Sequence, residues 1–115
     1  IRRQRQMCIR DSAITLVGSS MGGYVSTAIA HEIAVQRLFL MCPAFYLPTY
    51  PLQSFTPKAD TIEIIHGWQD EVVPVESSIT FGKKHQAILH LVNDNHRLSG
   101  SYAFLEDRFA AFLQS

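Results

Sequence analysis

A serine flanked by glycines, set between an apolar strand and a helix, does most to limit what this chain can become. Ala13 to Val17 (AITLV) is short, apolar and partly β-branched, the pattern of a strand buried on both faces of a parallel sheet. Gly18, Ser19, Ser20, Met21 and Gly22 follow as Gly-x-Ser-x-Gly. Met21 to about Ile33 then reads as a helix with Tyr24, Ala28 and Ile29 on its inner stripe. A serine at such a turn is held clear of its neighbours, and backbone comes so close that a side chain at Gly18 or Gly22 is expected to clash. Ser19 competes with Ser20, but only Ser20 has a glycine two residues before it and two after it. Taken alone, the pentapeptide is equally an ordinary glycine-rich turn.

The rest of the chain supplies the sheet that such a turn needs. Leu38 to Cys42 (LFLMC), Thr61 to Ile65 (TIEII) and Ile88 to Val92 (ILHLV) are further buried strands. Val75 to about His85 is a helix, and Ser101 to Leu113 is an amphipathic one with Phe104, Leu105, Phe109 and Phe112 inward. Pro43 to Asp60 has no helical period and reads as a loop. Strands alternating with helices predict the α/β class, with four parallel strands flanked by helices. At 115 residues there is material for one modest domain.

A serine hydroxyl is a weak nucleophile, so the turn acquires chemical meaning only if a base and an orienting carboxylate can reach it. After the third strand comes His66 to Pro74 (HGWQDEVVP), which puts Asp70 in a loop at the strand's carboxyl end. After the fourth comes Asn93 to Arg97 (NDNHR), which puts His96 in the equivalent loop. In a parallel sheet these ends share one edge, so the three side chains can converge. Glu71 and Asp94 are rival acids, although Asp94 lies off the expected loop. His66 reads as a packed or hydrogen-bonded residue, and His31, His85 and His90 as surface or core. No grouping of His, Cys and carboxylates has metal-site spacing. Cys42 reads as a small buried hydrophobe. Phe45, Tyr46, Leu47, Tyr50 and Phe55 either wall a pocket at the catalytic edge or merely cover the sheet, and Trp68 is similarly ambiguous.

Three segments in this order, VGSSMGG, HGWQDEVVP and NDNHRL, carry a family resemblance. From Ala13 to Ser115 the chain resembles the C-terminal half of a serine α/β-hydrolase, in particular small bacterial esterase-like proteins, whose triad also follows the order Ser, Asp, His. The resemblance implies a partial α/β-hydrolase fold, a half-sheet whose N-terminal strands are missing. It implies Ser20 as nucleophile, His96 as general base and then acid, and Asp70 as the group fixing the imidazole tautomer. The backbone N–H of Met21 would be one oxyanion donor, a second coming from an early loop outside this chain. Phe45, Tyr46 and Trp68 are the candidate substrate pocket. The expected substrate is a small-molecule ester or thioester cleaved through an acyl-enzyme, with no cofactor and no metal. The same three residues serve amidases, lipases and perhydrolases. A non-catalytic binding protein on this fold is the alternative, and retention of all three residues weighs against it.

Composition matters mainly at the chain's start. Ten basic and ten acidic side chains cancel overall, but four of the arginines fall within Ile1 to Ser12 (IRRQRQMCIRDS). Arg2 to Asp11 resembles the translation of a transposon-derived sequencing adapter, so residues 1–12 are read as non-native and 13–115 as part of a hydrolase domain. Without that run six basic and nine acidic side chains remain, which removes the argument for nucleic-acid binding. Cys42 is then the one native cysteine, too few for a disulfide scaffold. No apolar stretch has the length of a membrane span, and a cytoplasmic protein with no membrane partner is expected. Oligomeric state is open. An unpaired apolar first strand is expected to make the chain as it stands prone to aggregate and nearly inactive.

Overall fold

The structure, a computed structural model, describes residues 14–114; the arginine-rich start, with its adapter-like run, lies outside the described residues. The elements are β1 (Thr15–Ser19), α1 (Met21–Glu32), β2 (Val35–Met41), β3 (Ala59–Gly67), α2 (Val75–His85), β4 (Ile88–Val92) and α3 (Tyr102–Leu113). The strands form one parallel sheet in the order β1-β2-β3-β4. Thr15 pairs with Arg37, Arg37 with Thr61, and Ile64 with Leu89.

Period-two alternation divides the core between the two faces of the sheet. Leu38, Leu40, Ile62 and Ile64 point to one side, where they meet Ala30 of α1 and Phe81 of α2. Phe39 and Ile65 point to the other and meet Phe112 of α3. Both central strands are therefore apolar on both faces, as strands covered by helices on each side must be. One exception is Glu63, 1% exposed, whose carboxylate accepts hydrogen bonds from Arg108 of α3 at 2.8 and 3.3 Å and faces the His90 ring at 2.8 Å. A buried charge is tolerable only with such partners, and this one ties α3 to the sheet.

Several expectations are corrected. Strand β1 runs on to Ser19 because Gly18 and Ser19 still pair with Leu40 and Met41. Strand β3 runs from Ala59 to Gly67, its ends drawn in by pairing with Val35 and Val92. On α1 the inner residues are Gly23, Ser26, Thr27 and Ala30, while Ile29 is 39% exposed. The helix approaches the chain below it so closely that only small residues fit beneath. The Thr27 hydroxyl is satisfied within the helix by Gly23 O at 2.8 Å. Met21, Val25 and Ile29 of the helix, with Ile33 just beyond its end, are exposed. On α3, Phe112 is buried, but Phe104 is 38% exposed and lies edge-on to the His90 ring.

Most of the long loop after β2 covers the sheet. Phe45 stacks on Phe81 with ring centroids 4.2 Å apart, and Phe55 packs against both. Leu52 N donates to the Tyr24 hydroxyl at 2.9 Å, pinning the loop to α1. Among the described residues no helix is long and apolar enough to cross a membrane.

Candidate active site

Ser20 sits between the last residue of β1 and the first of α1, with φ 55° and ψ −120°. A non-glycine residue with positive φ and a ψ outside the left-handed well is strained, and it persists only where the surroundings impose it. They do so here. Ser20 N donates to Met41 O at 2.9 Å, and Ser20 O accepts from Gly23 N and Ala44 N, both at 3.0 Å. A Cβ on Gly18 would lie 2.2 Å from Gly22 O and 2.7 Å from Gly23 N, so no other residue fits there. The expectation for Gly22 is overturned, because a Cβ there meets nothing within 4 Å. The second tight glycine is Gly23, where a Cβ would lie 2.8 Å from Pro43 Cβ. Gly18→Ala is therefore expected to cost about 3 kcal/mol or more by forced backbone movement. Gly22→Ala, where an added Cβ meets only open space, should stay within about 1 kcal/mol of the parent or gain slightly. Melting temperatures of the two variants check the contrast.

Asp70 lies in the loop after β3. Its Oδ1 accepts Val72 N and Val73 N, both at 2.8 Å, which closes a local turn and aims Oδ2 away from the loop. Trp68 N donates to Val92 O at 2.8 Å and Gln69 N to Asp94 O at 3.0 Å, so the acid loop is fastened to the loop carrying His96. Gly67 makes this approach possible, since a Cβ there would lie 2.4 Å from Asp94 O and 2.7 Å from Asn95 O. Sequence reasoning gave Gly67 no role, although a glycine at the carboxyl end of a functional strand was the signal.

The three side chains meet. His96 Nδ1 lies 2.7 Å from Asp70 Oδ2, and His96 Nε2 lies 2.9 Å from Ser20 Oγ. The Asp70 side chain is fully buried and that of His96 is 16% exposed, so the acid is shielded while the imidazole keeps an open side. The rivals are employed elsewhere. Asp94 accepts Asn95 N at 2.7 Å, Gly100 N at 2.9 Å and the Ser101 hydroxyl at 2.6 Å, shaping the turn into α3. Glu71 accepts His96 N at 3.4 Å and so touches the backbone of His96 only. His66, read as structural, is fully buried beside Asp70, with Nε2 3.0 Å from Asp70 Oδ2.

Burial works to raise the Asp70 pKa, but hydrogen bonds from His96, Val73, Val72 and Cys42 outweigh it and hold the carboxyl below its ordinary 3.8. Burial depresses His66 below 6.5, and burial with the neighbouring Lys84 charge does the same for His85. In all three groups the unfolded chain binds protons more readily, so stability is present above the unfolded value and lost as pH falls. Urea midpoints should therefore decline as pH drops below about 6.5 and decline again below about 4. A flat profile from pH 7 to 4 would contradict the buried neutral state of His66.

Cys42 Sγ, an Asp70 oxygen and a His96 ring nitrogen lie within 4.8 Å of one another. Burial pushes the Cys42 thiol up to about 12, and the other two are hydrogen-bonded to each other, so the trio is matched to holding protons better than to holding a metal ion. Met21, first residue of α1, presents an N–H for which the helix contains no acceptor. Of the candidate pocket residues, Phe45 is a correction: at 0% exposed it belongs to the core. Tyr46 is half-buried with φ 62°, and Trp68 is 52% exposed. A separate apolar groove of about 610 Å³ lies between β1, β2 and α3, lined by Val17, Phe39, Met41, Leu105 and Phe109, and none of the three converging side chains lines it.

Residues 2–61 match the sequence pattern of the Uncharacterised protein family (UPF0227). No curated protein matches the chain. A protein of Xanthomonas campestris pv. campestris, provisionally named a hydrolase of the alpha/beta superfamily, is 33% identical with a TM-score of 0.80; the match covers 89% of this chain and 58% of that one. An alpha-beta serine hydrolase homologue from Coxiella burnetii is 27% identical with a TM-score of 0.68, covering 89% and 48%. A second Xanthomonas campestris protein, described as an a/b serine hydrolase without lid, shares the fold at 21% identity and a TM-score of 0.64, covering 84% and 48%. The chain thus spans about half the length of these structures. With its parallel sheet, its strand-to-helix serine turn and these likenesses, the chain belongs to the UPF0227 family and, with it, to the α/β-hydrolase superfamily.

Proposed function

We propose that this chain carries the nucleophile, base and acid of a serine hydrolase that cleaves small carboxylic esters or thioesters. The observation carrying the reading is the continuous hydrogen-bonded run from Ser20 Oγ through both ring nitrogens of His96 to Asp70 Oδ2, with steps of 2.9 and 2.7 Å. With Nδ1–H donated to Asp70, Nε2 is left as the acceptor of the Ser20 proton. Ser20 Oγ attacks the carbonyl carbon while its proton passes to Nε2. The oxyanion forms beside the Met21 N–H at the start of α1, where the helix dipole favours negative charge. Collapse of the tetrahedral intermediate expels the alcohol or thiol, which takes the proton back from His96. Water, deprotonated by the same nitrogen, then attacks the acyl-enzyme and releases the acid. The Coxiella burnetii relative, described as a serine hydrolase homologue, supports the nucleophile class. In the protein at the full length of its relatives a fluorophosphonate probe should label Ser20, and p-nitrophenyl acetate and an acyl thioester should be turned over faster than an anilide. A protein that takes up no probe, or an adduct on a residue other than Ser20, would sink the reading.

A further inference from the structure

The acid is served by more than its triad partner. His66 Nε2 faces two oxygens, Asp70 Oδ2 at 3.0 Å and Val73 O at 3.0 Å, while Nδ1 faces the Ser78 hydroxyl at 2.6 Å. Neither oxygen can donate to an unprotonated Nε2, so Nε2 carries the ring proton, and the Ser78 hydroxyl donates to Nδ1. His66 and Ser78 are both 0% exposed, so no water competes for these positions. The Cys42 sulfur, whose thiol keeps its proton, also lies within 4.8 Å of an Asp70 oxygen. It is held there by a left-handed backbone, φ 44°, that a branched or bulky residue would resist. Asp70 Oδ2 therefore lies between two imidazoles, one on the reaction side and one in the core.

We propose that His66 is a positioning residue of the reaction: as a fixed neutral Nε2–H donor, oriented by Ser78, it shares the charge of Asp70 Oδ2 with His96 and so limits how strongly Asp70 holds the His96 imidazolium. The inference rests on the serine-hydrolase reading and deepens it. The run of polar contacts becomes Ser78, His66, Asp70, His96, Ser20, with the His66 Nε2–H lying between Asp70 Oδ2 and Val73 O. A neutral donor on a carboxylate oxygen withdraws charge from it, so the neighbouring imidazolium is stabilised less and gives up its proton more readily. The charged or titratable groups facing this cluster are Cys42 from the end of β2, Glu71 from the acid loop, and Asp94 and His96 from the loop after β4.

The test is the titration of His96, followed by NMR of its ring protons and by the pH dependence of fluorophosphonate labelling. In His66→Leu the acid limb of labelling should move to higher pH. In His66→Gln, whose amide N–H can reach the same oxygen, the limb should return close to the wild type. Should His66→Leu not fold, Ser78→Ala reports the same effect at smaller size, since an imidazole without its Nδ1 partner is a poorer donor. An unmoved His96 titration in every folded variant lacking the donor, or equal shifts in the Leu and Gln variants, would overturn the proposal. The NMR titration needs no turnover, so a wild type that labels nowhere would sink the parent reading while the titration still decides the part played by His66.

Discussion

Asp70→Asn is expected to lower kcat/KM by about 10⁴-fold, the order seen when a triad histidine is forced into the wrong tautomer. The size follows from the crowding of donors around this side chain. Oδ1 receives two backbone N–H groups, and Oδ2 receives the imidazole N–H of His96 and lies 3.0 Å from that of His66, which Val73 O also accepts. An amide offers one oxygen and one NH₂. If the oxygen serves Val72 and Val73, the NH₂ faces two further donors, and His96 relieves the conflict only by moving its proton to Nε2. That nitrogen then donates to Ser20 instead of accepting from it. Because the site is shielded from solvent, mispairing should also lower stability, by about 2–4 kcal/mol. Steady-state rates and urea denaturation of the same preparation test both effects. An Asn variant with near-normal turnover would remove Asp70 from the mechanism.

Ser20→Ala should have the larger effect on rate and the smaller one on stability. Loss of the hydroxyl removes the covalent route, and turnover is expected to fall by about 10⁴- to 10⁶-fold, with residual catalysis from binding and the oxyanion site alone. The backbone bonds that hold the turn, to Met41, Gly23 and Ala44, do not involve the side chain. Alanine adopts positive φ no more willingly than serine, so stability should stay within about 1 kcal/mol. A melting temperature close to the parent's, together with complete loss of probe labelling, is the expected pair of results. A folded Ala variant that hydrolyses ester at the parent's rate would exclude a covalent mechanism at this position.

The converging residues were legible because each occupies a loop at the carboxyl end of a strand, and parallel topology alone brings such ends to one edge. Helix α2 and strand β4 were legible to the residue, since their periods change sharply at Val75 and Ile88. The inner face of α1 was not. Hydropathy favours Ile29 over Ser26, but the closeness of Pro43 to Gly23 admits only small side chains, and that distance is a tertiary fact. Phe45 looked like a pocket wall because aromatics in a proline-rich loop carry no sign of which way they face; its stacking on Phe81 decides it. The ends of β3 were missed because Ala59, Asp60, His66 and Gly67 have little strand character and are recruited by their neighbours. The partnership of His66 with Asp70 and Ser78 was out of reach, since it depends on how α2 lies against β3.

Ser20, Asp70 and His96 hang from β1, β3 and β4, strands whose relative offsets are fixed by ladder pairings through β2. One strand residue advances about 3.3 Å, so a slip of two residues along any ladder would displace one member by about 6.6 Å, more than twice a hydrogen-bond length. The sheet is in effect the gauge that sets the spacing of the reacting atoms. Lengthening the connection between β2 and β3 should leave that spacing intact, whereas a proline within β2 would scatter it even where no touching residue had changed.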